Sequence, residues 1–273
     1  DALSPRGPDS SEIKSMGSCI LGFTRLSVNG DSDGMQPFCH NNKMLICNGE
    51  IFNHKCIENE IGYTPSSGSD CEVLVHASDR WQFSTLCNKL DAEFAMVLYD
   101  HNTRSMLIAR DPYGVRPLFW GITSNGTYMF SSELKGIYKM CNTVSQFNPG
   151  WFMAIDNDKM VGYHQYKPPM IPLSISSSEP EKRVFDLLTA AVEKRLMCGN
   201  GGVCFLLSGG LDSSLVCGIA SQMSRVPIYT FSIGLEGSPD NEYARAVSKN
   251  IGSIHTAISP TEEEFLEVIP MVI

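Results

Sequence analysis

Apolar residues in the first 165 positions come in short runs separated by Gly, Asn and Asp. The runs at 19–23, 44–47, 94–99, 105–109, 118–121, 128–131 and 152–155 have the length and turn-bounded spacing of β-strands. Helical spacing interrupts them near 71–81 and 132–140, which predicts an α+β front part. Prolines and serines crowd residues 167–180 and disfavour regular pairing there, as in a linker. Beyond it the pattern changes. Residues 181–197 place Val184, Leu187, Leu188, Ala191 and Val192 at helical spacing. A strand at 203–207, a helix, a strand at 228–233, a helix at 241–250 and a strand at 254–258 follow. Ser259-Pro260-Thr261-Glu262 then opens a further helix, with the serine as cap and the proline at the first helical position. Such alternation predicts a parallel sheet with helices on both faces. The expected organisation is therefore 1–166, a linker at 167–180, and 181–273.

Composition narrows the setting. A formal charge of −9 over 273 residues disfavours nucleic acid as the main partner. No apolar run approaches a membrane span. The ten cysteines include no C-x-x-C pair, and the six histidines do not cluster with them at metal-ligand spacing. Reduced thiols and a cytoplasmic location are expected. Asn125-Gly126-Thr127 matches a glycosylation sequon but sits between apolar runs, where Asn-Gly predicts a hairpin turn.

Two constellations carry candidate chemistry. Residues 203–207 end in Ser208-Gly209-Gly210-Leu211-Asp212-Ser213-Ser214, followed by helical spacing at Leu215, Val216, Ile219 and Ala220. Strand, small-residue turn and helix make an anion cradle, because the backbone can approach a phosphate and the helix N-terminus adds partial positive charge. Asp212 would repel that phosphate unless a cation such as Mg²⁺ lay between. The absence of Gly-Lys-Ser/Thr excludes a Walker A loop, and the bland alternative is a serine-rich helix cap. In the front part, Asn48 and Gly49 at a strand end can supply two donors to a developing oxyanion. Glu50 and Asp70 can grip an ammonium, and Arg25 a carboxylate. Together they suit an α-amino acid with a reactive carbonyl farther out. An ordinary turn with solvated charges is the alternative.

Several segments resemble, in order, those of glutamine-dependent asparagine synthetases of the class B type. They are Arg6-Gly7-Pro8-Asp9, Arg25-Leu26-Ser27-Val28, Gln36-Pro37, Asn48 to Asn53, Ser69-Asp70-Cys71-Glu72, Ala109 to Leu118, Phe130 to Lys135, Ser208 to Ser214 and Phe231-Ser232-Ile233-Gly234. The resemblance implies an N-terminal-nucleophile (αββα sandwich) glutaminase domain, then an α/β parallel-sheet pyrophosphate-loop synthetase domain. It implies that glutamine yields ammonia in the first. In the second, ATP and Mg²⁺ turn aspartate into an acyl-adenylate, which ammonia converts to asparagine with release of AMP and pyrophosphate. By resemblance Arg25 binds the glutamine carboxylate, Glu50 and Asp70 its ammonium, and Asn48 with Gly49 forms the oxyanion hole. Likewise Ser208, Gly209, Gly210, Ser213 and Ser214 form the pyrophosphate cradle, Asp212 binds magnesium, and Leu206 and Ile233 offer backbone to adenosine. The expected partners are the small molecules glutamine, aspartate and ATP, with no nucleic acid or membrane and a homodimer as candidate assembly.

Two departures stand beside this. The family's nucleophile is an N-terminal cysteine, whereas residue 1 is Asp and Cys19 lies in a strand-like run that predicts a core thiol. The family's second phosphate-binding segment and aspartate region have no counterpart before Ile273, so the sequence reads as part of a longer protein. A two-domain relative with another acid acceptor, such as a β-lactam-forming synthetase, and a non-catalytic homologue remain as alternatives.

Overall fold

The structure is a computed structural model that describes residues 2–27, 34–167, 179–197 and 203–272. It divides into two compact units, Asp1–Ser174 and Ile175–Ile273. The division falls within 167–180, of which residues 168–178 lie outside the described set.

The front unit is built on β3 (Phe38–His40), β4 (Lys43–Ile51), β5 (Ala92–Asp100), β6 (Ser105–Arg110), β10 (Trp151–Asp156) and β11 (Lys159–Gln165). They form one antiparallel sheet in the order β11-β10-β6-β5-β4-β3. Successive side chains of a strand point to opposite faces, and β5 buries both. Its Phe94, Met96 and Leu98 meet α1 (His54–Ile61), α2 (Val73–Ala77) and α3 (Phe83–Lys89). Its Ala95, Val97 and Tyr99 join Cys19, Leu21, Trp120, Tyr128 and Phe130 on the other side. Those residues come from the hairpin of β1 (Ser10–Met16) and β2 (Cys19–Arg25), and from a sheet of β8 (Tyr128–Ser131), β7 (Phe119–Thr123) and β9 (Cys141–Gln146). A strand covered on both faces is apolar throughout, which is why 94–99 reads as an unbroken run. Asn125-Gly126 forms the β7–β8 hairpin turn, with Gly126 at φ 85°. The expected helix over 132–140 is reduced to one 3₁₀ turn at Leu134–Gly136, after which β9 begins at Cys141.

In the back unit β12 (Cys204–Leu206), β13 (Tyr229–Ile233) and β14 (Ile254–Ile258) pair in parallel in that order. Helices α4 (Pro180–Leu196), α5 (Leu211–Met223), α6 (Pro239–Ile251) and α7 (Glu262–Val272) alternate with them. The expectation of helices on both faces is not met among the described residues. Strand order runs one way, and two right-handed crossovers in one direction place α5 and α6 on the same face. The other face carries exposed Leu206, Tyr229, Ile233, Ile254 and Ile258. The cap of α7 also differs from expectation. Glu264 N–H donates to Thr261 Oγ1 at 3.2 Å and Thr261 N–H to the Glu264 carboxylate at 2.8 Å, so the cap is Thr261, not Ser259. This reciprocal box satisfies two helix-end donors, which the serine could not do from two residues farther back.

Candidate active sites

The outer edge of β4 organises the first site. Gln36 extends the pairing past the short β3, donating to the Cys47 carbonyl at 2.9 Å and accepting the Cys47 N–H at 2.6 Å. Four residues on, Ile51 N–H donates to Asp70 Oδ2 at 2.5 Å. Between them Gly49 faces the same way, because strand N–H groups alternate. On its β5 side, Gly49 lies opposite Phe94, whose carbonyl is turned to Asp111 N–H instead. Gly49 thus presents its N–H away from β5, while its carbonyl accepts the Cys71 thiol at 3.7 Å. A Cβ at Gly49 would lie 2.5 Å from the Glu93 carbonyl oxygen and 2.8 Å from Phe94 Cβ, so the neighbouring strand demands glycine here.

Asn48, the adjacent residue, has a buried amide nitrogen with no hydrogen-bond partner. Leaving such a donor unsatisfied costs about 1–3 kcal/mol, which a ligand oxygen would recover. Arg25, 7% exposed at the end of β2, and Asp70, also 7% exposed, reach the same space. A cavity of about 290 Å³ is lined by Arg25, Asn48, Gly49, Glu50 and Asp70 together, although 45 positions of sequence separate the first from the last. Burial raises the Asp70 carboxyl above its usual range, partly offset by the Ile51 N–H, so an incoming cation would be strongly preferred.

Sequence reasoning missed several lining residues. Gln36, Ser69, Cys71 and Arg116 border the cavity. Arg116 is delivered by a loop clamped at both ends. Arg110, 4% exposed, donates to the carbonyls of Gly114, Arg116 and Phe147, and Asp111 accepts N–H groups of Tyr113, Val115 and Arg116. Only the density of Arg, Asp, Pro and Gly in 110–117 signalled such a turn.

Glu72 fixes the segment leading to Asp70. Its carboxylate accepts Tyr63 Oη at 2.7 Å, both N–H groups of Ser66 and Ser67 at 3.1 and 2.8 Å, and both their hydroxyls. Burial alone would raise this carboxyl, but the hydrogen bonds from Ser66, Ser67 and Tyr63 hold it down to about 2 from an ordinary 4.5. A depressed native pKa gives stability that is complete above 4.5 and is lost as pH falls toward 2. Glu72→Gln should therefore destabilise by about 3 kcal/mol at neutral pH. In urea titrations its gap from wild type should narrow between pH 5 and pH 3; a gap independent of pH would refute the carboxylate's role.

The second constellation lies between β12 and α5. Gly210 caps α5 without a side-chain bond, leaving the first N–H groups of the helix facing outward. Ser208 Oγ lies 3.0 Å from Ser213 Oγ, and Asp212 is exposed in the first turn. Ser214 stands apart: its Oγ is buried without a partner, its N–H is taken by the Gly210 carbonyl, and it borders the groove between α5 and α6. Leu206 and Ile233 end adjacent strands with exposed side chains. No group of three or more His, Cys, Asp and Glu among the described residues forms a metal cage.

Comparison with known proteins decides the family. Residues 1–166 match the glutamine amidotransferase domain family, and residues 183–273 match the asparagine synthase family. A probable asparagine synthetase [glutamine-hydrolyzing] of Acanthamoeba polyphaga mimivirus is 38% identical over 289 residues, covering 95% of this chain and 52% of that protein. The asparagine synthetase [glutamine-hydrolyzing] of Gallus gallus is 33% identical over 306 residues, covering 99% of this chain and 54% of that protein. Asparagine synthetase [glutamine-hydrolyzing] 1 of Arabidopsis thaliana is 34% identical over 289 residues, with 99% and 48% covered. The chain belongs to the glutamine-hydrolysing asparagine synthetase family. It spans about half the length of the curated relatives it matches. Its fold is that of this family, an α+β amidotransferase sandwich followed by an α/β parallel-sheet unit.

For a member of the glutamine-hydrolysing asparagine synthetase family, the settings of two buried cysteines matter. Cys19 is a buried core thiol, pushed by burial up to about 11. Cys71 is held protonated well above the usual range by its hydrogen bond with Cys47 and by burial. The nine described cysteines are all free thiols, and Cys71, which lines the cavity, is not set as a nucleophile. Among the described residues no helix is long and apolar enough to cross a membrane.

Proposed function

We propose that the full-length protein makes asparagine from aspartate, using ammonia cut from glutamine in the front unit and ATP in the back unit. The observation that supports this most is the convergence of Arg25, Asn48, Gly49, Glu50 and Asp70 on one cavity containing an unpartnered amide donor. In this reading Arg25 takes the glutamine α-carboxylate, while Glu50 and Asp70 take its ammonium. Glutamine's charged end is then fixed at both poles, and its side-chain amide points to Asn48 Nδ2 and Gly49 N–H. These donors stabilise the oxyanion formed when a nucleophile attacks. That nucleophile is assigned to no cysteine described here. Asn48→Ala in the full-length protein should lower kcat for glutamate release about 100-fold with a smaller effect on KM. Glutamate release at the wild-type rate would reject the oxyanion role.

In the back unit, Ser208, Gly209, Gly210 and Ser213 would cradle pyrophosphate against the N-terminus of α5. Leu206 and Ile233 would meet adenosine through their backbones; Ser214 would support the helix from the α6 side. A lone exposed carboxylate beside phosphate oxygens and water is a donor set magnesium accepts, so Asp212 would hold that ion, which neutralises phosphate charge. Aspartate as acceptor rests on the family. The proposed activity suits a cytoplasmic protein acting on small molecules, with a homodimer as its assembly.

The two glycines separate the loop's packing from its chemistry. A Cβ at Gly209 (φ 80°) would lie 2.5 Å from Tyr243 Cβ and 2.6 Å from Ala244 N on α6, so Gly209→Val should misfold the loop whatever it binds. Gly210 has only Ser208 Oγ within reach of a Cβ, at 3.3 Å. Gly210→Ala should therefore leave the melting temperature near wild type while raising KM for ATP about tenfold. Unchanged KM in a folded Gly210→Ala protein would speak against close phosphate approach at that residue.

A further inference from the structure

Three segments meet at the carboxyl edge of the parallel sheet, where open α/β sheets bind ligands. Ser208 follows β12, Gly234 follows β13 and Ser259 follows β14. One helix engages all three. Asn241, in the first turns of α6 and 2% exposed, accepts the Ser232 hydroxyl at 2.7 Å. Its amide nitrogen donates to the Gly234 carbonyl at 3.1 Å and to Ser259 Oγ at 3.3 Å. Gly234 N–H is held in turn by the Ile258 carbonyl at 3.1 Å, so that residue is pinned at both its polar groups. Two residues farther along α6, Tyr243 and Ala244 form the surface against which Gly209 is packed.

A buried amide costs free energy unless its hydrogen bonds are made, and here three are made to two strand ends. An apolar side chain would serve packing equally well, so what the amide adds is geometry: it fixes the Gly234 peptide relative to α6 and hence to Ser208-Gly209-Gly210. We infer that Asn241 is a positioning residue for the nucleotide site, locking the ends of β13 and β14 in register with the phosphate loop. The inference rests on the reading that this loop holds ATP, and extends it to a residue that does not itself touch the nucleotide.

The test uses the full-length protein. Asn241→Leu removes all three bonds at similar volume; Asn241→Asp keeps the acceptor for Ser232 and loses both donors. Ser232→Ala removes that remaining bond together with the 3.3 Å contact between Ser232 Oγ and His255 Nε2. Both Asn241 variants should raise KM for ATP about tenfold, with a smaller change in kcat for AMP formation and glutamine hydrolysis unchanged. Ser232→Ala should stay within about twofold of wild type. If Asn241→Leu fails to fold, Ser259→Ala, at an exposed position, should show the same shift in smaller measure, about threefold. Wild-type KM in folded Asn241→Asp, or a lower melting temperature with KM unchanged, would overturn the positioning role. Asp212→Ala run alongside distinguishes the failures: wild-type ATP use in that variant would condemn the loop reading itself.

Discussion

Asp212→Ala in the full-length protein is expected to abolish asparagine synthesis with either glutamine or free ammonia as nitrogen source, while glutamine hydrolysis survives. The carboxylate is exposed in the first turn of α5, beside outward-facing backbone donors and the Ser208–Ser213 hydroxyl pair. Without a cation, a negative charge there competes with phosphate for the same donors; with magnesium between, it becomes part of the site. Loss of a metal-anchoring carboxylate should reduce AMP formation by about a thousandfold or more. The exposed position makes a folding defect a poor explanation, since surface substitutions usually move stability by about 0.5 kcal/mol or less. Should AMP and pyrophosphate still appear at the wild-type rate, Asp212 is only a helix-end acid and the loop a serine-rich cap.

Asp70→Asn should raise KM for glutamine about a thousandfold, corresponding to about 4 kcal/mol, and leave ammonia-dependent synthesis intact. The substitution keeps an oxygen for the Ile51 N–H but removes the charge that meets the ligand's ammonium. Burial holds the Asp70 carboxyl above its ordinary range when the cavity is empty. Glutamine binding should therefore weaken as pH falls through a value higher than an ordinary aspartate would give, and the Asn variant should lack that limb. A parallel fall of both glutamine- and ammonia-dependent synthesis would indicate a misfolded protein instead.

The sequence made the buried strands legible because β4 and β5 are apolar on both faces, and it made the β14 range plain. It hid β1, β3, β9 and β11, which are short or largely exposed and show no continuous apolar run. Helix placement in the back unit was misjudged because alternation fixes handedness and order only once pairing is known. Candidate site residues were nameable one by one, yet their meeting depends on long-range bonds that no local pattern encodes. The Asp70–Ile51 bond crosses 19 positions, and the Gln36–Cys47 pair substitutes side chain for strand. Gly209 reads from sequence as a glycine that lets the backbone approach a phosphate, and Gly49 as an N–H donor; neighbouring α6 and β5 already demand glycine at both positions. Asn241 sits among ordinary helix residues, and only its three bonds give it away.

The central claim is that Asp70 faces the ammonium of glutamine in the front cavity. The most direct measurement compares ammonia release from glutamine and from glutaramic acid, the same molecule without the amino group, by the wild-type and Asp70→Asn full-length proteins. A double-mutant cycle built across enzyme and ligand isolates that one contact. The account predicts that wild type prefers glutamine by a large factor in kcat/KM and that Asp70→Asn loses most of the preference. The same preference in both proteins would contradict it.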